Sequence, residues 1–177
     1  VIALTATATK RVREDICTTL RLKSPQILVA TFNRPNITYS VRYKRHLPDQ
    51  DVGSDIVKFL SNRSEQCGII YCFKTMECEE IARLLQSHGF KAAHYHGKMR
   101  ADDRSRLLQD WTNNITRIMV ATVAFGMGID KADVRFVIHN SVPKTMEGFY
   151  QESGRAGRDG LPSVSLVYYG VEDKRLH

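Results

Sequence analysis

The feature that most constrains the fold is the alternation of short apolar runs with helical patterns along most of the chain. Apolar runs bounded by turn residues are typical of buried strands, and apolar residues spaced at i, i+3 and i+4 are typical of helices. The predicted strands are residues 68–73, 90–95, 118–122, 135–139 and 164–169. Strands that alternate with helices form a mainly parallel sheet covered by helices on both faces. The sequence therefore predicts an α/β fold.

Two of the intervening helices have recognisable ends. Thr75 is predicted to cap a helix whose early turns carry glutamates, where the helix dipole favours negative charge. Gly89 is predicted to end that helix. A later helix is predicted from Thr145 to Glu152.

The first residues form a separate predicted unit. Residues 1–4 and 26–31 have the apolar character of strands. Between them a helical pattern follows Thr9, which is a suitable cap. We interpret this unit as the closing strands and helix of a preceding domain. The predicted divisions are residues 1–31 for that unit, 32–44 for a linker with an edge strand at 37–43, and 45–177 for the main α/β domain.

Composition narrows the class of partner. The formal net charge of +7 favours a polyanion, and no apolar run is long enough to span a membrane. Four cysteines occur, at Cys17, Cys67, Cys72 and Cys78. They lack the spacing of zinc ligands, so we interpret them as reduced thiols of an intracellular protein. His94 and His96 share one side of a predicted strand, but no third ligand is evident, so no metal site is predicted.

Residues 151–160, the arginine segment, have the sequence QESGRAGRDG. Arg155 and Arg158 each follow a glycine, which lets the backbone turn sharply or lie close to a ligand. A guanidinium is planar and always charged, and its fork of donors fits two phosphate oxygens at once. The segment therefore suits a polyphosphate. The alternative is a glycine-capped helix end with solvated arginines.

A second segment, VATVAFGMGIDK at residues 120–131, predicts a buried strand followed by a glycine-rich loop that carries a carboxylate and a lysine. Together with the arginine segment and LTATAT at residues 4–9, it resembles the RecQ family of ATP-dependent DNA helicases. Superfamily 2 helicases in general carry a GRxGR segment. The residues around it here, Gln151, Glu152 and Asp159, and the FGMGIDK loop resemble RecQ more than the DEAD-box RNA branch.

The resemblance implies a fold and an activity. Residues 45–177 would be the second RecA-like motor lobe, residues 1–31 the end of the first lobe, and residues 32–44 the connection between them. The implied activity is ATP-dependent 3′-to-5′ unwinding, with single-stranded and duplex DNA and the first lobe as partners. A nuclear location and roles in DNA repair and recombination are also implied. RecQ proteins usually carry a four-cysteine zinc subdomain after this point, so no zinc is expected in this chain.

The resemblance also assigns nucleotide contacts. Arg158 is similar to the finger that reaches the γ-phosphate across the lobe interface, and Arg155 to its neighbour on the same phosphate. Gln151 corresponds to a residue that positions the nucleotide or water. Gly128 and Asp130 lie in a loop that meets the ribose and the DNA, although Asp130 also suits a simple turn. Both guanidinium groups are expected at the rim of the lobe, near the strand ends and not buried in local ion pairs.

The nucleic-acid contacts follow from strand ends. In sheets of this type ligands gather at the carboxyl ends of the strands. The residues that the resemblance assigns to the single-stranded DNA backbone are Lys74, Thr75, Gly97, Lys98, Arg104 and Thr122. The family often has serine and arginine at the positions of Lys74 and Thr75, so charge and hydroxyl are exchanged here. Thr75 as a mere helix cap, and Arg104 paired with a neighbouring aspartate, remain alternatives.

Two expected motifs are absent from the sequence. It contains no GxxxxGK[ST] phosphate loop and no carboxylate pair after a strand to hold Mg²⁺. ATP and Mg²⁺ are therefore expected to bind mainly to the missing first lobe, and this chain alone is expected not to hydrolyse ATP. The alternatives are another superfamily 2 motor, such as an RNA helicase or chromatin remodeller, and a non-catalytic nucleic-acid-binding module.

Overall fold

The computed structural model describes residues 1–5, 8–29, 31, 33–126, 129–171 and 173. The chain divides into two compact units, residues 1–35 and residues 36–177. Each unit is described by itself.

The first unit contains one described helix, α1 (Lys10–Thr19), which the sequence predicted. The Thr9 hydroxyl caps it by accepting a hydrogen bond from the Val12 N–H (3.4 Å). The strands predicted at residues 1–4 and 26–31 are wrong for the described residues, which have no strand pairing there. A strand needs a neighbouring strand to pair its backbone, and the described part of this unit offers none. The apolar side chains of these residues are exposed. Ala30 lies outside the described residues.

The second unit is built on a six-stranded sheet in which every pair of neighbours is parallel. Its strands are β1 (Ile37–Tyr43), β2 (Cys67–Tyr71), β3 (Ala92–Tyr95), β4 (Ile118–Ala121), β5 (Val134–His139) and β6 (Ser163–Tyr169). Its helices are α2 (Val52–Leu60), α3 (Thr75–Ser87), α4 (Ala101–Thr112) and α5 (Met146–Ser153), with short 3-10 turns at Lys44–His46 and Pro48–Gln50. The strand order is β1-β6-β5-β2-β4-β3, so β1 is an edge strand as predicted.

Alternate side chains of the strands bury two separate cores, one on each face of the sheet. On the first face, Ile70 and Ile138 pack with apolar residues of α2 and α3. On the second face, Ile69 and Val137 pack with α4 through Trp111, which is fully buried. We call these surfaces the α3 face and the α4 face. The α/β fold with helices on both faces is confirmed.

The strand register decides which loops meet. Tyr71 at the end of β2 lies opposite Ala121 of β4 on one side and His139 of β5 on the other. Tyr95 at the end of β3 also pairs with Ala121. Four strands therefore end side by side, and the residues that follow them share one rim of the sheet.

Candidate nucleotide and nucleic-acid site

The strand-end rim gathers the polar residues that directly follow β2, β3 and β4. Its members are Lys74, Thr75, Gly97, Lys98 and Thr122. Backbone bonds extend the sheet into it, from the Cys72 N–H to the Ala121 carbonyl (2.8 Å) and from the Thr122 N–H to the Tyr95 carbonyl (3.2 Å). The structure thus brings five of the six predicted nucleic-acid residues to one edge, where Lys74, Gly97 and Lys98 are exposed.

Helix α3 begins differently from the prediction. Lys74 is its N-cap and Thr75 its first residue, so the prediction that Thr75 caps the helix is wrong. The Glu77 carboxylate accepts a hydrogen bond from the N–H of the N-cap residue, Lys74 (3.3 Å). The Lys74 side chain remains exposed beside the positive end of the helix dipole.

Gly97 is not required by the packing of the fold. A Cβ added there would meet no atom within 4 Å. A glycine that faces open space is suited to the close approach of a ligand backbone.

Arg104 lies in the first turns of α4, which begins just after the strand-end rim. The alternative in which it pairs with a neighbouring aspartate is not observed, because Asp103 instead bonds Arg106 (3.2 Å). Within the described ranges no ion pair involves Arg104, and its Nε is buried without a hydrogen-bond partner.

Residues 122–131, between β4 and β5, are here called the crossing loop, and the described residues of this loop pack on the α4 face. The loop begins at the strand-end rim with Thr122. Its Phe125 is buried against Tyr95 and Trp111, with ring centroids 4.9 and 5.2 Å apart. Its last residue, Lys131, donates to the Thr112 carbonyl at the end of α4 (3.2 Å). The loop therefore passes from the carboxyl ends to the amino ends of the strands. Met127 and Gly128 lie outside the described residues, so the Gly128 prediction stays a prediction.

The arginine segment begins in the last turn of α5, and its end lies beside the amino end of β5, away from the rim. The Gly157 N–H donates to the carbonyl of Val134, the first residue of β5 (2.8 Å). Gly157 has φ +58°, and a Cβ there would lie 2.4 Å from Asn36 Nδ2, so both backbone and packing require glycine. The backbone around Gly157 thus lies beside the amino end of β5, whereas the Arg155 side chain lies near Tyr71, the last residue of β2.

Arg158 makes a local ion pair with the crossing loop. Its Nη1 donates to the Ile129 carbonyl and to Asp130 Oδ1, both at 2.9 Å. The pair is not buried, since the Asp130 side chain is 90% exposed and that of Arg158 35%. Surface pairs contribute little to stability, because water and salt compete with them. A phosphate group could therefore replace Asp130 at low cost.

Arg155 is seated on the crossing loop. A Cβ at Gly126 would lie 2.5 Å from Arg155 Nη2, so the guanidinium rests directly against that glycine. Arg155 Nε is buried without a hydrogen-bond partner in the described structure. Burial raises the pKa of the Tyr71 hydroxyl, and the nearby guanidinium groups of Arg155 and Arg158 oppose that rise. The two arginines therefore lie near one point on the α4 face.

Two buried residues and one half-buried residue beside the arginines were missed as site residues. Tyr71 donates from its hydroxyl to the Phe125 carbonyl (2.9 Å) and stacks on His139, with ring centroids 5.5 Å apart. His139 Nε2 lies 2.9 Å from Glu152 Oε2. A polar residue at the last position of a buried strand was the signal that could have identified Tyr71 and His139. Gln151, in contrast, is exposed on α5.

Asp159 has a structural partner. Arg135 Nη2 lies 2.6 Å from Asp159 Oδ1 and 2.7 Å from Oδ2, and this bond lowers the pKa of the carboxyl below its usual value. The pair fixes the end of the arginine segment beside β5.

No group of three or more His, Cys, Asp or Glu side chains in the described part of the chain could hold a metal ion. His94 and His96 do stack on one side of the sheet, with centroids 5.4 Å apart, and His96 Nε2 lies 3.2 Å from Glu79 Oε1. Among the described helices, none has the length and apolar character needed to cross a membrane.

Comparison with known proteins decides the family. Residues 51–160 match the family described as "Helicase conserved C-terminal domain". The chain is 45% identical over 174 residues to "ATP-dependent DNA helicase hus2/rqh1" of Schizosaccharomyces pombe, which covers 97% of the chain and 13% of that protein. It is 47% identical to "ATP-dependent DNA helicase Q1" of Mus musculus (97% and 26%) and to "ATP-dependent helicase SGS1" of Saccharomyces cerevisiae (98% and 12%).

This chain is a helicase C-terminal domain of the RecQ family. The domain spans about a quarter or less of the length of these relatives. The family resemblance deduced from the FGMGIDK loop and the arginine segment is confirmed.

Solved structures support the fold of the RecQ domain. It superposes on S. cerevisiae Dbp5, solved bound to Gle1 and IP6, with a TM-score of 0.74 and 18% identity, covering 97% of this chain and 44% of that one. It superposes on the E. coli DEAD-box protein SrmB, solved bound to the regulator RraA, with a TM-score of 0.65 and 21% identity, covering 80% of each chain. At this identity the likeness shows the RecA-like fold alone.

Proposed function

We propose that the complete protein is an ATP-dependent 3′-to-5′ DNA helicase and that this domain is its second motor lobe. Residues 1–31 would close the first lobe, residues 32–44 would join the lobes, and residues 45–177 would form the second. The relatives' names as ATP-dependent DNA helicases support the activity. The observation that carries the proposal is that the strand-end rim and the arginine segment are separate surfaces joined by one loop.

The arginine segment fits a triphosphate held by another lobe. The ion-pair partner of Arg158 is an exposed carboxylate that a phosphate can replace, and Arg155 has a buried donor without a partner. In our proposal both bind phosphate oxygens and stabilise the charge that develops there, with Gln151 positioning the nucleotide or water and Gly128 and Asp130 near the ribose. ATP, when bound, supplies the free energy of phosphoryl transfer to water. No cluster of carboxylates for Mg²⁺ occurs in the described structure, so ATP and Mg²⁺ would bind mainly to the first lobe.

The strand-end rim fits the backbone of single-stranded DNA. Lys74 and Lys98 expose two cationic groups, the start of α3 offers free N–H groups, and Gly97 leaves room for close approach. In this proposal Thr75, Thr122 and Arg104 complete the track. Binding of this kind neutralises phosphates and must weaken as salt rises. The net charge of +7 has the sign that it requires.

We further propose that closure of the two lobes moves DNA. Arg155 and Arg158 would report the state of the nucleotide, and the crossing loop would pass that state to the strand-end rim. Cycles of closure and reopening would then shift the strand by steps. A nuclear location and service in DNA repair and recombination are part of the same proposal.

The test is Arg158→Ala in the complete helicase. We expect ATP hydrolysis to fall on the order of 10³-fold, as with the loss of other arginine fingers, and unwinding to be abolished while DNA binding remains. Arg106→Ala is the matched control, because Arg106 also forms an exposed ion pair on a helix but lies outside the arginine segment. Normal ATP hydrolysis in Arg158→Ala would contradict the proposal.

A second test uses the isolated 177-residue chain. We expect no ATP hydrolysis above background in a phosphate-release assay, with or without single-stranded DNA, because the phosphate loop is absent. Sustained turnover by this chain would show that the assignment of the nucleotide to the other lobe is wrong.

A further inference from the structure

We propose that Tyr71, together with the His139–Glu152 pair, couples the arginine segment to the crossing loop, as positioning residues that touch neither DNA nor nucleotide. The inference rests on the proposed function and deepens it, since it names the contacts that join the two surfaces. It concerns buried residues between them.

Tyr71 holds the middle of the crossing loop. It is the last residue of β2, it is 4% exposed, and its hydroxyl donates to the Phe125 carbonyl (2.9 Å). The next residue, Gly126, is the one against which Arg155 rests. The hydroxyl therefore fixes the stretch of loop that forms the seat of the guanidinium.

The His139–Glu152 pair holds the other side of that seat. His139 is the last residue of β5, and its side chain is 1% exposed. It stacks on Tyr71 and bonds Glu152 in the last turn of α5 (2.9 Å). The Glu152 carbonyl in turn accepts from the backbone N–H of Arg155 (3.2 Å). A displacement of α5 would therefore move Arg155 through Glu152 alone.

These contacts join three chain segments that are far apart in sequence. Two adjacent strand ends, paired as Tyr71 with His139, form the fixed base. On that base lie the crossing loop through Phe125 and the end of α5 through Glu152. Arg155 cannot leave Gly126 to follow a phosphate without uncovering the loop, and the loop begins at the strand-end rim. The geometry gives a short route between the two surfaces.

The experiment is Tyr71→Phe in the complete helicase, which removes one oxygen and keeps the ring. We expect the ratio of DNA-stimulated to DNA-free ATP hydrolysis to fall about tenfold, within the usual range of coupling between sites. Affinity for a fluorescent 20-nucleotide poly-dT strand, measured without nucleotide, should stay within about twofold because the Tyr71 hydroxyl is buried against the crossing loop and is not exposed to DNA.

Tyr168→Phe is the matched control. Tyr168 is also fully buried at a strand of the same sheet, and its hydroxyl bonds Asp55 Oδ2 (2.6 Å), but it lies on the α3 face. Both variants lose a buried hydroxyl bond, so both should unfold at a lower temperature. Only Tyr71→Phe should lower the coupling ratio.

Glu152 variants supply the rescue. Glu152→Gln keeps an oxygen that can face His139 and should keep the coupling ratio, whereas Glu152→Ala should lower it as Tyr71→Phe does. An unchanged ratio in Tyr71→Phe, or an equal fall in Tyr168→Phe, would overturn the inference. If Arg158→Ala still abolishes hydrolysis in that case, the proposed function stands and only the coupling role fails. If the unaltered helicase shows no DNA-stimulated hydrolysis, the proposed function and the inference fall together.

Discussion

The strand-end rim and the arginine segment differ in how firmly their groups are held. Rim residues such as Lys98 and Gly97 are exposed, and Gly97 faces open space. In the arginine segment almost every group is held, by Asn36 on Gly157, by Arg135 on Asp159 and by Asp130 on Arg158. A surface that must follow a moving polymer is open, and one that must meet a phosphate in a fixed geometry is braced.

The largest expected effect comes from a substitution that disrupts the contacts around Gly157. Gly157→Ala should destabilise the domain by about 3 kcal/mol, because it combines an unfavourable φ with a backbone and side-chain clash. Gly160→Ala is the control, since Gly160 also has positive φ (+82°) but nothing within 4 Å of its Cβ position. Strain alone should cost it about 1–2 kcal/mol. Denaturant unfolding of both variants measures the difference, and equal losses would show that the packing around Gly157 contributes nothing.

The next effect concerns the seat of Arg155. Gly126→Ala places a Cβ 2.5 Å from Arg155 Nη2, so the guanidinium must move while the fold remains. We expect ATP hydrolysis by the complete helicase to fall between about tenfold and a hundredfold, since small misplacements of catalytic groups have such costs. The thermal unfolding temperature should change little. Unimpaired hydrolysis would mean that the position of Arg155 is irrelevant to the chemistry.

The strands of the sheet could be predicted from the sequence, but the place of the arginine segment could not. The apolar runs predicted every strand of the sheet to within a few residues. A buried parallel strand needs a continuous apolar run, and few other structures do. The rim could be predicted as well, because the carboxyl ends of parallel strands lie at the same edge of a sheet. The place of the end of the arginine segment could not be predicted, because it depends on contacts such as Gly157 with Val134, between residues distant in sequence.

The failures have local causes. Residues 1–4 and 26–31 have strand composition, but a strand is stable only beside another strand, and composition does not supply one. Thr75 has the side chain of a cap, yet the helix begins one residue earlier with Lys74 as its N-cap, whose N–H bonds the Glu77 carboxylate. Tyr71 and His139 looked like ordinary core residues, and only the structure shows what their polar atoms touch.

A smaller expected effect tests whether DNA passes close to the open backbone at Gly97. Gly97→Ala should leave the free energy of unfolding unchanged, because its Cβ meets nothing. If DNA passes close to that backbone, affinity for single-stranded DNA should fall about fivefold, the consequence of losing roughly 1 kcal/mol. Fluorescence anisotropy provides the affinity and thermal melting the control. Unchanged affinity would remove Gly97 from the track.

The smallest expected effect is a pH dependence of the stability that the Asp159–Arg135 pair contributes. The pKa of Asp159 is lowered by its bond to Arg135, so the stabilisation is present above the unfolded carboxyl pKa of about 3.9 and is lost as pH falls through the lower folded value. Asp159→Asn should therefore be less stable than the unaltered domain at pH 7, with the difference vanishing in strong acid. Denaturant unfolding across that range measures it. A difference that persists at pH 2 would mean that the charge of Asp159 is not responsible.

The division of labour between the two surfaces is tested most directly by the salt dependence of single-stranded DNA affinity in the complete helicase. Lys98→Ala should flatten the slope of log affinity against log salt by about 0.7, the value of one lost phosphate contact on a single strand. Arg158→Ala should leave the slope unchanged, because its guanidinium serves the nucleotide. A flattened slope in Arg158→Ala with an unchanged one in Lys98→Ala would contradict the account.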